Sequence, residues 1–132
     1  MEKLFVKGNT KFPTLDFNPN DGKFEIWGRS LPENTIEFYN PVLDWLDKYR
    51  AEAKEKTTVN VSLEYFNTSS SKLILDIFRK FKDIHDSGKP VEVNWYFEED
   101  DPDLEDQGII FKEIAGVPMN LIPVKEFSFT FI

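Results

Sequence analysis

Apolar and polar residues alternate with period two in several stretches of the chain, which is typical of β-strands that bury one face. The alternation runs through residues 58–65, 91–98 and 127–131. The pattern predicts strands of a sheet with one apolar face and one mixed face. The residues on the apolar side are Val59, Val61, Leu63, Tyr65, Val91, Val93, Trp95, Phe97, Phe127, Phe129 and Phe131.

A hairpin is predicted closer to the N-terminus. Two apolar-rich segments, residues 12–17 and 23–27, flank the sequence Asn-Pro-Asn-Asp-Gly at residues 18–22, which consists of turn-forming residues.

The spacing changes to that of a helix after the hairpin. Apolar residues recur three and four positions apart over residues 36–49, but Asn40 and Pro41 interrupt them. Proline suits the first helical turn and Asn is a common N-cap. We therefore predict that the main helix begins at Pro41 and that Asn34 starts a shorter turn before it.

Two further helices are predicted. Residues 70–87 carry one apolar stripe that ends before Gly88 and Pro90, and residues 103–115 form a weaker helical pattern. The order strand, helix, strand over residues 58–98 predicts two parallel strands joined by a right-handed crossover. The expected fold is a single α/β domain over residues 1–132, with a mixed β-sheet and helices mainly on one face.

The composition excludes several kinds of chemistry. The chain of 132 residues has no cysteine, so disulfides, thiolate nucleophiles and zinc thiolates are excluded, and its single histidine is His85. The formal net charge of −8 argues against nucleic acid as a ligand. No apolar run is long enough to span a bilayer, so we expect a cytoplasmic protein without a membrane partner.

The junction between the strand at 58–66 and the helix that follows carries four consecutive hydroxyl residues, Thr68 to Ser71. Unpaired amides and the positive end of the helix dipole meet there, which suits a phosphate. At about 100° per residue, Ser70 falls near the apolar stripe and Thr68 opposite to it. These hydroxyls alternatively serve only as helix caps.

Other candidate sites have simpler explanations. Residues 98–106 contain seven carboxylates, which could hold Ca²⁺ or Mg²⁺, although the EF-hand spacing is missing. We favour the explanation that they form a solvated acidic loop at a helix N-terminus, and the second plausible use is recognition of a basic partner surface. His85 is expected to have a structural role as a cation at the end of a helix. Trp27, Phe66 and Tyr96 are expected on the mixed sheet face, as a second small core or a contact patch.

Several blocks of the sequence resemble one family. They include residues 63–72 (Leu-Glu-Tyr-Phe-Asn-Thr-Ser-Ser-Ser-Lys), residues 28–34 (Gly-Arg-Ser-Leu-Pro-Glu-Asn), residues 38–46 and residues 93–101. These blocks, in the order in which they occur along the chain, resemble the SiaC family of bacterial regulatory phosphoproteins. The resemblance covers roughly residues 12–122 and implies a variant of the STAS, or anti-sigma-factor antagonist, fold.

The resemblance also implies a function, in which Thr68 is the residue that is reversibly phosphorylated. A serine/threonine kinase of the histidine-kinase-like ATPase type adds the phosphate and a PP2C-type phosphatase removes it. The unphosphorylated form binds and activates an output enzyme, a diguanylate cyclase in the best-known system, and so promotes cyclic di-GMP signalling and biofilm formation. The chain itself is then expected to be no enzyme and to need no cofactor.

The kinase and the output partner are expected to contact the same junction. The residues predicted to form this surface around Thr68 are Glu64, Asn67, Ser69, Ser70, Ser71 and Lys72. Lys72 could steady a phosphate, or it is an ordinary surface lysine. The alternative functions are a small metal-binding enzyme that uses the acidic loop 98–106 and a constitutive protein-binding scaffold. The role of the tail 123–132 stays open.

Overall fold

The computed structural model describes residues 1–129, which form one six-stranded sheet and three helices. The strands lie in the sheet in their sequence order. They are β1 (Leu4–Val6), β2 (Thr14–Asn18), β3 (Lys23–Ser30), β4 (Thr57–Phe66), β5 (Val91–Glu98) and β6 (Met119–Val124), and the helices are α1 (Thr35–Glu52), α2 (Thr68–Asp86) and α3 (Pro102–Ala115).

The sheet is mixed. The first three strands pair antiparallel, and the last four, β3 to β6, pair parallel. The predicted hairpin is the β2–β3 pair, and the predicted strand–helix–strand unit is β4–α2–β5 with parallel strands. The prediction of an α/β fold with a mixed sheet is therefore confirmed.

All three helices pack on the same face of the sheet and share one core with it. Buried residues of α1, α2 and α3 join those of the strands in a single cluster, in which Tyr39, Phe78, Trp95 and Phe111 are large members. The prediction of helices mainly on one face is confirmed.

Helix α1 begins earlier than predicted. Asn34 is its N-cap and accepts a hydrogen bond from the amide of Glu37 at 3.0 Å, and Pro41 lies inside the helix. The predicted start at Pro41 is therefore wrong. Pro41 removes the amide that would bond to the carbonyl of Glu37, but both residues are exposed, so water can take its place. Buried Tyr39 and Val42 hold the helix on both sides of the proline.

A bulge near the carboxyl end of β4 changes which side chains face the core. Gly28 pairs with Leu63 but Arg29 pairs with Tyr65, so Glu64 is an extra residue in β4. Because successive side chains of a strand point to opposite faces, one extra residue reverses the alternation. Tyr65, predicted on the apolar side, is 46% exposed.

The same reversal moves Phe66, which was predicted on the mixed face, to the helix side. Its ring contacts Trp95 and Phe111 at centroid distances of 6.1 and 5.8 Å. That prediction is wrong, because the bulge depends on pairing with a distant strand. Trp27 and Tyr96 do lie on the mixed face, half-buried.

The strands at the two edges were missed by the sequence analysis. Strand β1 has only three residues, and β6 contains Pro123, which an edge strand tolerates because one side of it needs no ladder bonds. The strand predicted over 127–131 is wrong for residues 127–129, which belong to no strand, and Phe131 lies outside the described residues.

Candidate functional site

The candidate site lies where the parallel strands β3 and β4 end and α2 begins. Asn67 connects β4 to α2 as the N-cap of the helix. Its side-chain oxygen accepts from the amide of Ser70 at 2.8 Å, and its carbonyl accepts from the amide of Ser71 at 3.0 Å. Thr68 is the first residue of the helix, so its own amide has no acceptor within the helix.

The hydroxyl residues of this junction separate into an exposed and a buried group. Ser70 is completely buried, whereas Thr68 and Ser69 are exposed and Ser71 is intermediate. This confirms the predicted orientation of Ser70 toward the core and Thr68 toward solvent. The side chain of Thr68 has no hydrogen-bond partner within residues 1–129.

Ser70 belongs to a buried hydroxyl network with Ser30 and Tyr39. The hydroxyl of Ser70 donates to the carbonyl of Ser30 at 3.0 Å and accepts from its hydroxyl at 2.8 Å. Since Ser30 has one hydroxyl proton, the phenol of Tyr39 must donate to the Ser30 oxygen, 2.5 Å away. Burial raises the pKa of Tyr39 to about 12, so the phenol keeps this proton at neutral pH.

A second contact connects α1 to the same junction. The hydroxyls of Thr35 and Ser69 are 2.8 Å apart, and Ser69 donates to the side chain of Asn67 at 3.2 Å. Ser69 has a single proton, so Thr35 is the donor in the first contact. The start of α2 is thus hydrogen-bonded to the last residue of β3 and to the first residue of α1.

Thr68 lines a groove of about 410 Å³ between the end of β4 and the starts of α2 and α3. Its lining carries three carboxylates and no lysine or arginine. The residues that line it are Glu64, Tyr65, Phe66, Asn67, Thr68, Ser71, Asp101, Asp103, Leu104 and Gln107. We call it the Thr68 groove.

Glu64 takes part in a half-exposed cluster on the rim of this groove. Its carboxylate accepts from the guanidinium of Arg29 at 2.7 Å, and Arg29 lies over the ring of Tyr65 with 5.5 Å between charge and centroid. The bulge explains why these side chains point outward together. Of the predicted surface, Glu64, Asn67 and Ser71 line the groove with Thr68, whereas Ser69, Ser70 and Lys72 do not.

Residues of the acidic loop stabilise the start of α3. Asp101 is the N-cap of α3, its side chain accepting from the amide of Leu104 at 3.2 Å, and Asp103 and Glu105 lie in the first helical turn. Within residues 1–129, no three acidic, histidine or cysteine side chains are grouped so that they could hold a metal ion.

His85 has a structural role of a different kind from the predicted one. Its Nδ1 accepts a hydrogen bond from the amide of Val91 at 3.0 Å, which connects the end of α2 to the start of β5. His85 therefore serves the end of α2 as a hydrogen-bond acceptor, whereas the prediction rested on a favourable charge at a helix end.

Sequence reasoning missed several residues of the site. Ser30 and Thr35 contact the junction from 40 and 34 positions away along the chain, and Tyr39 supports it through Ser30. No local signal marks these residues. The acidic run did hold a usable signal for Asp101, because Asp before Pro102 is an N-cap followed by a proline at the first helical position.

Among the helices of residues 1–129, none has both the length and the apolar composition that a membrane-spanning helix requires.

Three comparisons with known proteins identify the family and the fold of this chain. The model of the SiaC family regulatory phosphoproteins matches residues 6–124. An uncharacterised protein of Pseudomonas aeruginosa strain UCBPP-PA14 is 27% identical over 118 residues, which cover 89% of this chain and 94% of the relative.

Solved structures from Pseudomonas aeruginosa have the same fold. The crystal structure of apo-SiaC is 27% identical, with a TM-score of 0.83 over 92% of this chain and 99% of the other. The structure of the diguanylate cyclase SiaD in complex with its activator SiaC matches at 26% identity and a TM-score of 0.85, with the same coverage. Since the family model extends over nearly the whole chain, the chain belongs to the SiaC family of regulatory phosphoproteins.

Proposed function

We propose that this chain is a partner-switching regulator whose Thr68 is reversibly phosphorylated, and that it is not itself an enzyme. The observation that carries the proposal is the contrast between two neighbouring hydroxyls. Thr68 is exposed in a groove with its hydroxyl unbonded in the described chain, whereas Ser70 is buried and hydrogen-bonded. A kinase can reach the first hydroxyl without unfolding the helix.

The position of Thr68 lets the fold tolerate a phosphate. At the first position of α2, a phosphate would lie beside amides that have no acceptor within the helix, at the positive end of the helix dipole. The helix is therefore not expected to unfold on modification. The change takes place on the surface that a partner meets.

The electrostatics of the Thr68 groove make that change large. A phosphate adds about −1.5 to −2 charges at neutral pH. The groove already contains the carboxylates of Glu64, Asp101 and Asp103, and no cation lines it. A partner that packs against the neutral threonine would have to bury the charge of the phosphate without a lysine or arginine of this groove to pair with it, which is costly. A difference of about 3 kcal/mol changes the dissociation constant more than a hundredfold.

We propose a diguanylate cyclase as the output partner, bound and activated by the unphosphorylated form. Support comes from the relative SiaC, which is an activator of the cyclase SiaD in the matched complex. The family resemblance supports a kinase of the histidine-kinase-like ATPase type and a PP2C-type phosphatase as the other partners. All three must approach Thr68, so we expect their footprints to overlap and their binding to be mutually exclusive.

Affinity measurements with four proteins test this proposal: the wild type, Thr68→Ala, Thr68→Asp and Thr68→Asn. The binding partner is the diguanylate cyclase of the same host, and calorimetry gives the dissociation constant. We expect Thr68→Asp to weaken binding at least tenfold, while Thr68→Asn, of equal size without charge, stays within about threefold. Equal losses of affinity for Thr68→Asp and Thr68→Asn would contradict the proposal, because they would show that the size of the side chain, and not its charge, weakens binding.

Phosphate transfer from ATP by the host kinase tests the modified residue itself. Intact mass is expected to increase by one phosphate in the wild type and not in Thr68→Ala. Ser71→Ala, which alters a hydroxyl in the same groove, is the matched control and should accept phosphate like the wild type. Equal phosphorylation of Thr68→Ala would mean that another residue is modified. A wild type that never accepts phosphate would instead favour a constitutive scaffold.

A further inference from the structure

The face of the sheet opposite the helices carries a second groove, which the Thr68 switch does not use. Its volume is about 480 Å³. The lining combines two aromatic residues, Trp27 and Tyr96, with polar side chains of neighbouring strands. We call it the aromatic groove.

A ladder of amides makes one part of this face rigid. Asn60, Asn94 and Asn120 occupy equivalent positions on β4, β5 and β6. The side-chain amide of Asn94 donates to Asn60 at 3.0 Å, and that of Asn120 donates to Asn94 at 3.0 Å. Asn60, which lines the aromatic groove beside Trp27 and Tyr96, thus belongs to a row of three hydrogen-bonded amides.

The segment after β6 lies on this face. The amide of Phe127 donates to a carboxylate oxygen of Glu98 on β5 at 3.1 Å. The ring of Phe129 stacks on Trp27 with 5.2 Å between centroids, and Phe127 stacks on Phe129 at 5.1 Å. Ser128 and Phe129 complete the lining of the groove. Phe127 and Phe129 are therefore anchored by one hydrogen bond from a main-chain amide to the Glu98 side chain and by a run of three stacked rings.

We propose that the aromatic groove is a binding surface for an extended Phe-x-Phe segment, and that the chain's own C-terminal tail occupies it. The match to the family model ends at residue 124, before this tail begins. A partner that presents a similar aromatic segment would have to displace the tail, which would make the tail an internal competitor. The inference does not depend on phosphorylation of Thr68, because Thr68 lies at the start of α2 and lines the other groove.

The test uses the full chain with Phe127→Ser and Phe129→Ser together, because this variant keeps every element of the sheet. Phe5→Ser is the matched control, since Phe5 is an exposed phenylalanine on β1, 58% exposed. We expect the double variant to red-shift the tryptophan emission, because Trp27 loses its stacked ring, and the control to leave the emission unchanged. Circular dichroism verifies that both variants are folded.

A synthetic peptide of residues 125–132 then serves as the probe. We expect it to bind the double variant saturably and restore the emission, and to bind the wild type about tenfold or more weakly, because the attached tail competes at high effective concentration. A peptide with serine in place of both Phe127 and Phe129 should not bind. Failure of the peptide to bind the folded double variant, or equal binding to the wild type, would overturn the proposal. A wild-type dimer that the double variant loses would also overturn it, by showing that the tail acts between chains.

Discussion

At the scale of single residues, Ser70 connects the fold to the proposed phosphorylation site. Its hydroxyl bonds to Ser30 twice, once as donor and once as acceptor, and Ser30 in turn accepts from Tyr39. These bonds hold the first turn of α2 against the end of β3. Thr68 owes its exposed position to this turn, because the two residues lie on opposite sides of the helix.

Removal of the Ser70 hydroxyl should therefore destabilise the protein. We expect Ser70→Ala to lower the free energy of unfolding by about 1–3 kcal/mol, since the buried hydroxyl of Ser30 loses its acceptor and the Ser30 carbonyl keeps only the amide of Asn67 as donor. Urea unfolding followed by circular dichroism measures the loss. Ser71→Ala in the same turn is the control and should stay within about 0.5 kcal/mol of the wild type. Equal stability of Ser70→Ala and the control would contradict the network.

Tyr39 makes stability sensitive to alkaline pH. Its pKa is about 12 in the folded protein because burial disfavours the phenolate, against an ordinary value of 10.0. The folded state holds the proton more tightly, so stability is complete below pH 10 and falls as the pH rises toward 12. At pH 11 the loss due to Tyr39 is about 1 kcal/mol.

Urea unfolding at pH 9 and pH 11 measures this effect in the wild type and in Tyr39→Phe, which cannot ionise there. The variant should lose less stability between the two pH values, by about 1 kcal/mol. If both proteins lose the same amount, then the phenol of Tyr39 does not ionise on unfolding as described.

Local sequence was sufficient for the orientation of Thr68 and Ser70, because both lie on the same helix and its periodicity fixes their relation. Local sequence was not sufficient to predict the hydrogen bonds that hold Ser70 in place. Tyr39 and Ser30 reach Ser70 only after α1 and β3 have packed together, and a pattern of residues within one element does not contain that contact.

At the scale of elements, the bulge in β4 and the close packing of α3 shape the Thr68 groove. Gly28, opposite the bulge, has a φ of 115°, which residues with a side chain rarely adopt. The bulge turns Glu64 and Tyr65 outward to the rim of the groove. Helix α3 forms the other wall, and Trp95 bonds to its Leu104 carbonyl at 3.0 Å.

Gly108 allows α3 to approach Trp95 closely. A Cβ at this position would lie 2.6 Å from atoms of the indole ring, so Gly108→Ala forces the helix and the ring apart. We expect a loss of about 1–3 kcal/mol in the free energy of unfolding, although alanine is the better helix former. Near-ultraviolet circular dichroism should also change, since Trp95 is buried. Glu113→Ala, at an exposed position of α3, is the control; a Gly108→Ala variant as stable as the control would refute the close contact.

The elements that the sequence predicted best have strong periodic patterns within them. Helix α2 and strands β4 and β5 are examples, with their buried stripes and alternating faces. Predictions failed where contacts with residues distant in the sequence decided the outcome. The bulge reverses the faces on which Tyr65 and Phe66 lie, buried neighbours keep Pro41 inside α1, and pairing with β5 forms the edge strand β6. Alternating phenylalanines at 127–129 were mistaken for a strand, whereas their rings stack on the sheet face.

At the scale of the whole molecule, the sheet separates two surfaces with different chemistry. The Thr68 groove lies at the carboxyl ends of the parallel strands, between two helix starts, and carries carboxylates without a cation in its lining. The aromatic groove lies on the face without helices, and Ser128 and Phe129 lie in it. The proposed switch changes only the Thr68 groove, by the addition of one phosphate to Thr68.

The most direct test compares this protein with and without phosphate on Thr68 in binding to the diguanylate cyclase of its host. Kinase-treated protein, verified as singly phosphorylated by intact mass, is titrated beside untreated protein, and phosphatase treatment provides the reversal. We predict that phosphate raises the dissociation constant about a hundredfold, the effect of about 3 kcal/mol, and that the phosphatase restores it. Equal affinity of the two forms for the cyclase would contradict the switch.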